Sequence, residues 1–401
     1  KQLGVDLFLL DDGWFGNKHP RNDDHAGLGD WEAMKSKLPG GIPALVEKAK
    51  ANGIETHCFA WDDGKAVCKE VADYFYDISV LEKETILEKC QEINIDGILT
   101  IATDICVPTI SYVAAKMNLI GNSTETALLT TNKGLMRDCF HTHNIPSPAH
   151  RTITDIKQLS AIENTFPLIV KPVDRSGSLG VKKVSHQKEL LDAVEESLSY
   201  SFEKTCIVEE YISGVEVSVE TLSWKGERQI VNISHKFLSP EPYFVEIAHH
   251  QPTALHGSLQ EKIKEIALNT LTATNIEFGA SHIEMKITEA GNVYVIEIGS
   301  RMGGDFIGSD LVKLSTGIDY LQCVLDIALN QFNWQESIPK YNRYAGVYFY
   351  CKETQSLNPY FQKEYEWTVK KEILNDDLNL IKSSNDRSGY LIYQSDKKIE
   401  L

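Results

Sequence analysis

Several features of extracellular, membrane and nucleic-acid-binding proteins are missing from this sequence. Its eight cysteines are scattered without a CxxC pair, which favours reduced thiols over a disulfide framework or a zinc site. No apolar run is long enough to cross a bilayer, and there is no signal-peptide pattern. The net charge of −17 at pH 7 argues against a nucleic-acid partner or an anionic membrane. We therefore expect a cytoplasmic protein that acts on small molecules.

What the sequence does contain is typical of a soluble globular protein. Of its 401 residues, 42% are hydrophobic and 24% are charged, and the length suggests about two to four domains. Neither internal repeats nor low-complexity tracts interrupt it. Because the chain is acidic overall, any site for a phosphate group must be a local basic pocket.

The order of the expected elements changes along the chain. Strands and helices alternate up to about residue 125, which predicts a Rossmann-like, doubly wound parallel sheet. After that, runs of strands with helices to one side predict an α+β region, followed by a small α/β tail. We divide the chain into four parts. Residues 1–53 and 54–125 together would form the parallel sheet, residues 126–335 the α+β region, and residues 336–401 the C-terminal tail.

Two glutamates lie in what we expect to be a β-hairpin. The segments around Glu284 and Glu297 have strand patterns, and the intervening EAGN is a short turn containing Gly. A symmetric turn centred between Ala290 and Gly291 places the two glutamates directly opposite each other. Facing carboxylates repel, and a bound Mg²⁺ or Mn²⁺, with its preference for oxygen ligands, removes that penalty. Arg301 adds an anion-binding charge nearby, whereas the alternative is a pair of strand acids that face solvent.

A glycine-rich loop, DRSGSLG at 174–180, joins two expected strands. It is not a P-loop, because the pattern GxxxxGK[ST] is absent and no helix follows the loop directly. Small residues let a phosphate approach backbone N–H groups, and those that offer them here are Ser176, Gly177, Ser178 and Gly180. Lys171 and Lys133 are placed to add positive charge to the same phosphates. On its own, such a loop is more often an ordinary hairpin turn.

The strand at 208–212 leaves an apolar sheet and ends in acidic residues. Its backbone can bind the edge of an adenine ring, and the residues concerned are Glu209, Glu210, Tyr211 and Ile212. Glu216, a few residues later, can accept hydrogen bonds from ribose hydroxyls. The alternative is a strand end whose acidic side chains are simply solvated.

Taken in order, these segments resemble the ATP-grasp superfamily. They are Lys133, KPVDRSGSLGV (171–181), VEEYISGVE (208–216), SHIEMK (281–286) and IEIGSRMGGD (296–305). The sequence is similar to carboxylate–amine ligases, including the ATP-binding half of carbamoyl-phosphate synthetase and the L-amino-acid ligases. The resemblance extends over about residues 54–401. It implies a Rossmann-like domain followed by two α+β subdomains that clamp ATP beneath the glycine loop.

The resemblance also implies a role for each of these residues. The residues and their implied ligands are Lys133 and Lys171 for phosphates, 209–212 for adenine, Glu216 for ribose, Glu284 and Glu297 for Mg²⁺, and Arg301 for the γ-phosphate or an acyl phosphate. Lys236, His249, His250 and the loop at 301–308 are further candidates for the substrate pocket. For His249 and His250 the alternative is a pair of surface side chains at a strand end.

The reaction that the resemblance implies has two steps. A substrate carboxylate attacks the γ-phosphate of ATP, which gives an acyl phosphate and ADP, and an amine then attacks the acyl carbon. The protein would contribute positioning and charge neutralisation. The expected partners are a small-molecule carboxylate and a small-molecule amine, and a homodimer is compatible with the sequence. An ATP-binding protein without ligase turnover is the alternative function.

One position departs from the ATP-grasp pattern. The family commonly has Glu-x-Asn-x-Arg, in which the Asn is a metal ligand, whereas this chain has Gly299 between Glu297 and Arg301. Glycine has no side chain with which to coordinate a metal. We therefore expect either that Asp305 or a water molecule takes that place, or that the second metal ion binds weakly.

Residues 1–53 resemble a different family, the α-galactosidases that act on melibiose and raffinose. In that family the positions of Asp11, Asp12 and Trp14 contact galactose hydroxyls. The later segments that carry the two carboxylates of a retaining glycosidase do not occur here, so a sugar-binding remnant is a remote alternative function. The segment reads as strand, loop and helix, and can replace one βα unit of a parallel sheet. Natural recombination, design and an assembly artefact would each produce such a join.

Overall fold

The computed structural model of the chain describes most of its residues. They are 5–10, 41–62, 66–161, 165–177, 179–241, 243–375, 378, 380–381 and 383–401, with only the backbone described at 5–10, 160, 161 and 385. These residues form three sheets with helices packed against them.

The first sheet is parallel and is built from the N-terminal part of the chain. Its elements and their helices are β1 (Val5–Leu10), α1 (Gly41–Ala51), β2 (Ile54–Ala60), α2 (Val67–Val71), β3 (Tyr74–Asp77), α3 (Lys83–Ile93), β4 (Gly97–Leu99) and α4 (Val107–Met117). The strand order is β3-β2-β1-β4, and every pair is parallel. The predicted Rossmann-like sheet is confirmed. Strand β1, from the segment that resembles α-galactosidases, lies between β2 and β4.

The second sheet has four antiparallel strands in the order β5-β8-β6-β7. The elements of this part of the chain are α5 (Thr124–Leu129), α6 (Lys133–Thr142), β5 (His150–Ile153), β6 (Leu168–Pro172), β7 (Lys182–Val184), α7 (Gln187–Tyr200) and β8 (Cys206–Glu210). The glycine loop connects β6 to β7. As predicted, it therefore joins two paired strands and does not open a helix.

The third sheet has eight antiparallel strands. They are β9 (Val215–Trp224), β10 (Glu227–Leu238), β11 (Glu246–Gln251), β12 (Gly279–Ile287), β13 (Val293–Gly299), β14 (Tyr344–Tyr350), β15 (Thr368–Ile373) and β16 (Gly389–Ser395). Their order is β13-β12-β9-β10-β11-β14-β16-β15. Because β11 pairs with β14, the predicted units 126–335 and 336–401 share one sheet. The division of the chain into four domains stays a prediction.

Further helical segments accompany the third sheet and the loops. The α-helices are α8 (Ser258–Ala273), α9 (Val312–Thr316), α10 (Tyr320–Ala328) and α11 (Asn358–Phe361), and a π-helical turn spans Ile307–Leu311. Short 3₁₀ segments are Asp104–Cys106, Ile156–Ala161, Trp334–Ser337, Lys352–Leu357 and Ser384–Asp386. Among the residues described, no helix is both long and apolar enough to cross a membrane. All eight cysteines are buried as thiols, as expected from their scattered positions.

One hydrophobic core joins the parallel sheet to the rest of the molecule. Helix α1 buries Ile42, Leu45 and Ala49, which recur at helical spacing, and α10 buries Leu321 and Leu325 in the same cluster. The two helices thus pack together although they are far apart in the sequence. A backbone hydrogen bond from the N–H of Met302 to the carbonyl oxygen of Ile101, at 2.9 Å, also joins the loop that follows β13 to the segment that follows β4.

Candidate active site

A cleft of about 430 Å³ lies between the four-stranded and the eight-stranded sheets. Its volume is in the range typical of small-molecule sites. The residues predicted to bind nucleotide, metal or the transferred phosphate line it wherever the structure describes them, and Lys236 lines it too; they are Lys133, Lys171, Ser176, Gly177, Gly180, Glu209, Glu210, Tyr211, Ile212, Glu216, Lys236, Glu284, Glu297 and Arg301. Ser178, like Asp11, Asp12 and Trp14, lies outside the described residues. The folded chain thus brings the predicted residues together in one place.

The two glutamates face each other across the hairpin β12–β13, as predicted. Glu284 pairs with Glu297, although the turn differs from the predicted one. Ile287 pairs with Val293, so the turn is centred on residue 290, half a residue earlier than expected. A β-bulge then inserts one extra residue, Ile296, and the shift restores the predicted pair.

Each of these glutamates is paired with a lysine. Glu284 Oε1 lies 2.5 Å from Lys236 Nζ, and Glu297 Oε1 lies 2.9 Å from Lys133 Nζ. Burial opposes the charge of Glu284, but Lys236 and His282 outweigh it and hold the pKa of this carboxyl well below its usual range. Both carboxylates therefore face the cleft in the company of a positive charge.

Lys236 lies among three carboxylates of the eight-stranded sheet. Its Nζ is 2.5 Å from Glu284, 3.0 Å from Glu216 and 3.3 Å from Glu246. Burial disfavours the ammonium form, yet the charges of these glutamates outweigh burial and raise the pKa of Lys236 well above its usual value. Lys236 thus links the predicted ribose-binding and metal-binding glutamates.

Lys133 links the glycine loop to the glutamate hairpin. The side chain of Asn132 caps helix α6 by accepting hydrogen bonds from the N–H groups of Gly134 and Leu135, so the helix begins at Lys133. From there, Lys133 Nζ donates to the carbonyl oxygen of Arg175 at 2.7 Å and contacts Glu297. The positive charge is therefore held between the loop and the predicted metal ligands.

Lys171 and Glu209 form a buried network with a residue that the sequence analysis did not identify. Glu209 lies 2.5 Å from Lys171 and 3.0 Å from Arg137, whose side chain is fully buried. Burial opposes ionisation of Glu209, but these two cations outweigh it and lower its pKa. Arg137 also donates to the carbonyl oxygen of Ile296, the bulge residue, at 2.6 Å. Arg137 therefore ties the four-stranded sheet to the glutamate hairpin.

The predicted adenine end of the cleft is bounded by aromatic and basic side chains. Tyr211 and Phe244 have ring centroids 6.1 Å apart, and Lys183 Nζ lies 4.0 Å from the Tyr211 centroid. The N–H groups of Glu210 and Tyr211 donate to the carbonyl oxygens of Ala149 and Pro167, at 2.9 Å and 3.3 Å. These two N–H groups are therefore engaged within the protein and are not offered to a base.

A second buried pair that the sequence analysis missed orients Glu284. Glu220, which is fully buried, binds Nδ1 of His282 and accepts a hydrogen bond from the N–H of Gly303 at 2.9 Å. Nε2 of His282 lies 3.4 Å from Glu284. Burial disfavours the imidazolium, but the charge of Glu220 and the hydrogen bonds raise the pKa of His282 to about 9. Strand β9 also carries Glu216, Ser218 and Thr221, so Glu220 does not stand out in the sequence and no local signal identifies this pair.

Arg301 is anchored by Asp104, which lies in the 3₁₀ turn after β4. Its Nε donates to Oδ1 and its Nη2 to Oδ2, at 2.9 Å and 2.8 Å. Burial disfavours the guanidinium, but Asp104 outweighs it and raises the pKa of Arg301 further. Arg301 is therefore a fixed positive charge at the end of the cleft away from Tyr211.

The candidate substrate pocket contains one of the two predicted histidines. His249 lines the cleft, with Nε2 at 3.7 Å from Asp305, and Asp305 lies 2.9 Å from Arg387. His250 is buried behind the cleft and hydrogen-bonds to the Tyr393 hydroxyl at 2.7 Å. The alternative interpretation, a pair of surface histidines, is wrong because both side chains are buried.

The donor groups at the hairpin fit a magnesium ion. Glu284 and Glu297 supply carboxylate oxygens, and Mg²⁺ is commonly held by one or two carboxylates together with phosphate oxygens and water. Within the part of the chain that the structure describes, no group of three or more His, Cys, Asp or Glu side chains forms a ready-made metal site. The arrangement therefore suits an ion that takes its other ligands from a nucleotide.

Two family models match separate parts of the chain. The model of the ATP-grasp domain matches residues 164–310, and the model of melibiase matches residues 1–74. The melibiase match extends beyond residue 53, the limit expected from the sequence, and includes β2. Both resemblances are confirmed, and the two matched segments do not overlap.

Individual relatives show the same division. Alanine–anticapsin ligase from Bacillus amyloliquefaciens is 24% identical over 333 residues, which cover 74% of this chain and 70% of the relative. Alpha-galactosidase 2 from Hypocrea jecorina is 61% identical over 44 residues, which cover 11% of this chain and 6% of the relative.

The fold of the whole chain has a counterpart among solved structures. The crystal structure of an L-amino acid ligase from Bacillus licheniformis superposes with a TM-score of 0.76 at 21% identity, and the match covers 98% of this chain and 94% of that one. The chain therefore has the ATP-grasp fold, with an ATP-grasp domain at 164–310 and a melibiase-like segment built into its parallel sheet.

Proposed function

We propose that the protein is an ATP- and Mg²⁺-dependent ligase that joins a carboxylate to an amine. The observation that carries this proposal is the convergence of Glu284, Glu297, Lys133, Lys171 and Arg301 on a single cleft. Carboxylates for a cation, lysines for phosphates and a fixed arginine are the groups that phosphoryl transfer requires. Similarity to two proteins named as ligases supports the same conclusion.

In this proposal the nucleotide lies along the cleft. The base contacts residues 209–212, the ribose contacts Glu216, and Lys133 and Lys171 bind the phosphates beneath the glycine loop. Glu284 and Glu297 would hold Mg²⁺, and Mn²⁺ has the same ligand preferences. When bound, the cation neutralises the phosphate oxygens that gain charge during transfer. Lys133 is placed to exchange Glu297 for a phosphate oxygen as the nucleotide enters.

The proposed chemistry has two transfers. A carboxylate oxygen of the first substrate attacks the γ-phosphorus, the bond to the bridging oxygen breaks, and ADP leaves with the electron pair. The amine then attacks the acyl carbon, the carbon–oxygen bond breaks, and inorganic phosphate leaves while the nitrogen loses a proton. Arg301 neutralises the transferred phosphoryl group in both steps.

His249 is the group that we assign to the proton of the amine. It lines the cleft near Asp305, and burial lowers the pKa of its imidazole, so that the ring is uncharged near neutral pH and able to accept a proton. The substrates themselves are not identified by the geometry, so the test must survey many carboxylates and amines.

The direct test is an assay of ADP release with Mg-ATP and pools of amino acids, followed by mass spectrometry of the products. We expect ADP release that depends on a carboxylate, and a new amide when an amine is also present. Binding of Mg-ATP without ADP release across broad pools would overturn the ligase proposal in favour of an ATP-binding protein without turnover. Deconvolution of an active pool would then identify both substrates.

A further inference from the structure

Gly299, at the end of β13, lies against the carboxylate of Asp104, which belongs to the 3₁₀ turn after β4. A Cβ atom built on Gly299 would lie 2.7 Å from Asp104 Oδ1 and 3.2 Å from Arg301 Nε. A separation of 2.7 Å is shorter than real Cβ contacts, so any side chain at 299 would displace Asp104. The space that the ATP-grasp pattern fills with an asparagine is therefore occupied by the carboxylate of Asp104.

Asp104 and Arg301 form a two-point contact inside the cleft. Both carboxylate oxygens accept hydrogen bonds from the guanidinium, and the two side chains are only 15% and 14% exposed. Such bidentate pairs fix the orientation of the guanidinium plane as well as its position. A backbone bond from Met302 N–H to the Ile101 carbonyl oxygen, at 2.9 Å, docks the same two loops.

The contact leaves part of the arginine available for a ligand. A guanidinium has five N–H donors. Among the described residues, Asp104 uses one on Nε and one on Nη2, and the Met302 carbonyl oxygen uses one on Nη1. One N–H on each terminal nitrogen is left for an anion. Both oxygens of Asp104 accept a hydrogen bond from the guanidinium, so the carboxylate is directed at the arginine.

We propose that Asp104 is a positioning residue for Arg301, and that Gly299 is required because it admits this carboxylate into the cleft. The inference rests on the proposed function only in taking the ligand of Arg301 to be the terminal phosphate of a nucleoside triphosphate. Gly299 itself offers no oxygen donor, and the space beside it holds the carboxylate that anchors Arg301. That anchor comes from the parallel-sheet unit, outside the matched ATP-grasp segment.

The test compares two nucleotides that differ in the terminal phosphate. Affinities for Mg-ADP and for the non-hydrolysable Mg-AMP-PNP are measured by titration calorimetry in the wild type and in Asp104→Ala, Asp104→Asn and Arg301→Ala. We expect Asp104→Ala to weaken AMP-PNP binding roughly tenfold, as for the loss of a charge-assisted hydrogen bond, with ADP binding unchanged. Asp104→Asn retains one acceptor oxygen, so its loss should be smaller.

Double variants identify the route by which Asp104 acts. Asp104→Ala should cause no further loss in the Arg301→Ala background, because its effect passes through the arginine. Gly299→Ala should weaken AMP-PNP binding in the same way, and should have no effect once Asp104 is already alanine. Glu88→Ala, which removes an exposed carboxylate from helix α3 of the same unit, is the matched control.

The outcomes separate this inference from the proposed function. Equal loss of ADP and AMP-PNP binding in Asp104→Ala, or no loss of either, would overturn the positioning role. A fall in Mn²⁺ affinity in Asp104→Asn, measured by electron paramagnetic resonance with ADP present, would make Asp104 a metal ligand and equally overturn it. If the wild type binds both nucleotides but no pool yields ADP, the ligase proposal fails while the positioning role stands. Absence of nucleotide binding in the wild type would refute both.

Discussion

The two walls of the cleft handle charge in different ways. On the four-stranded wall, two cations and one carboxylate form a buried network, in which the side chains of Lys171, Glu209 and Arg137 are 7%, 3% and 0% exposed. On the eight-stranded wall, Glu284 and Glu297 keep side chains that are 26% exposed to the cleft. Burying paired charges rarely adds net stability, whereas removing one partner is costly. We infer that Arg137 and Glu209 hold the shape of the first wall, where Lys171 is the residue proposed to bind phosphate, and that the second wall keeps its carboxylates available for a ligand.

If this contrast is correct, removal of a carboxylate from the eight-stranded wall should have the largest effect on turnover. We expect Glu297→Ala to lower Mg-ATP-dependent ADP release by a factor on the order of 10²–10³. The variant loses one of two proposed Mg²⁺ ligands and the partner of Lys133. Glu289→Ala is the matched control, because Glu289 is exposed in the turn of the same hairpin. Wild-type turnover in Glu297→Ala would exclude Glu297 from the metal site.

Removal of a charge from the four-stranded wall should act on stability instead. Arg137→Met leaves Glu209 buried with one cation, and we expect the free energy of unfolding in urea to fall by about 3 kcal/mol. Arg151→Met is the control, since Arg151 is exposed on β5 of the same sheet. A loss no larger than that of the control would mean that the buried network does not hold this wall.

The effect of Lys236 should depend on Mg²⁺. Lys236→Met leaves Glu216, Glu246 and Glu284 close together without the ammonium group that they share. We therefore expect the free energy of unfolding to fall by roughly 2 kcal/mol in metal-free buffer. Mg²⁺ should then raise the melting temperature of the variant more than that of the wild type, because it can neutralise the vacated carboxylates. Lys264→Met, at an exposed pair within α8, is the control. Equal Mg²⁺ responses in both proteins would contradict this expectation.

The smallest effect is expected in the glycine loop. Because the loop is proposed to bind phosphate through backbone N–H groups, Ser176→Ala should raise the KM for ATP by no more than about threefold. Steady-state kinetics at saturating carboxylate and amine would measure it. A rise of more than about tenfold would mean that the Ser176 hydroxyl itself binds the phosphate.

The parts of this site that follow from local sequence were predictable. Alternating strands and helices indicate the parallel sheet, and the motifs that contain Lys133, Lys171 and Glu216 identify residues of the cleft. The pairing of Glu284 with Glu297 was predicted correctly from a wrong turn. A half-residue error in the turn was compensated by the bulge at Ile296, for which the sequence carries no recognisable signal.

The residues that the sequence analysis missed act across large separations. Asp104 lies 197 positions from Arg301, Arg137 lies 72 from Glu209, and Glu220 lies 62 from His282. Each pair joins residues whose proximity depends on how separate elements pack, and no local pattern encodes that packing. For Gly299, the sequence indicated Asp305 or water as the replacement for the missing side chain, because Asp305 is close in the sequence. In the structure the carboxylate nearest to Gly299 belongs to Asp104, which is distant in the sequence.

The place of β1 between β2 and β4 has a practical consequence for anyone who expresses only the part of the chain that resembles ATP-grasp proteins. A truncation that discards residues 1–53 as foreign would remove an interior strand and leave two facing rows of unsatisfied amide and carbonyl groups. Such rows are templates for pairing with other chains, so the shortened protein should aggregate. The hydrogen bonds between parallel strands are made by main-chain atoms and do not depend on the side chains. A βα unit that resembles a different family can therefore supply an interior strand of this sheet.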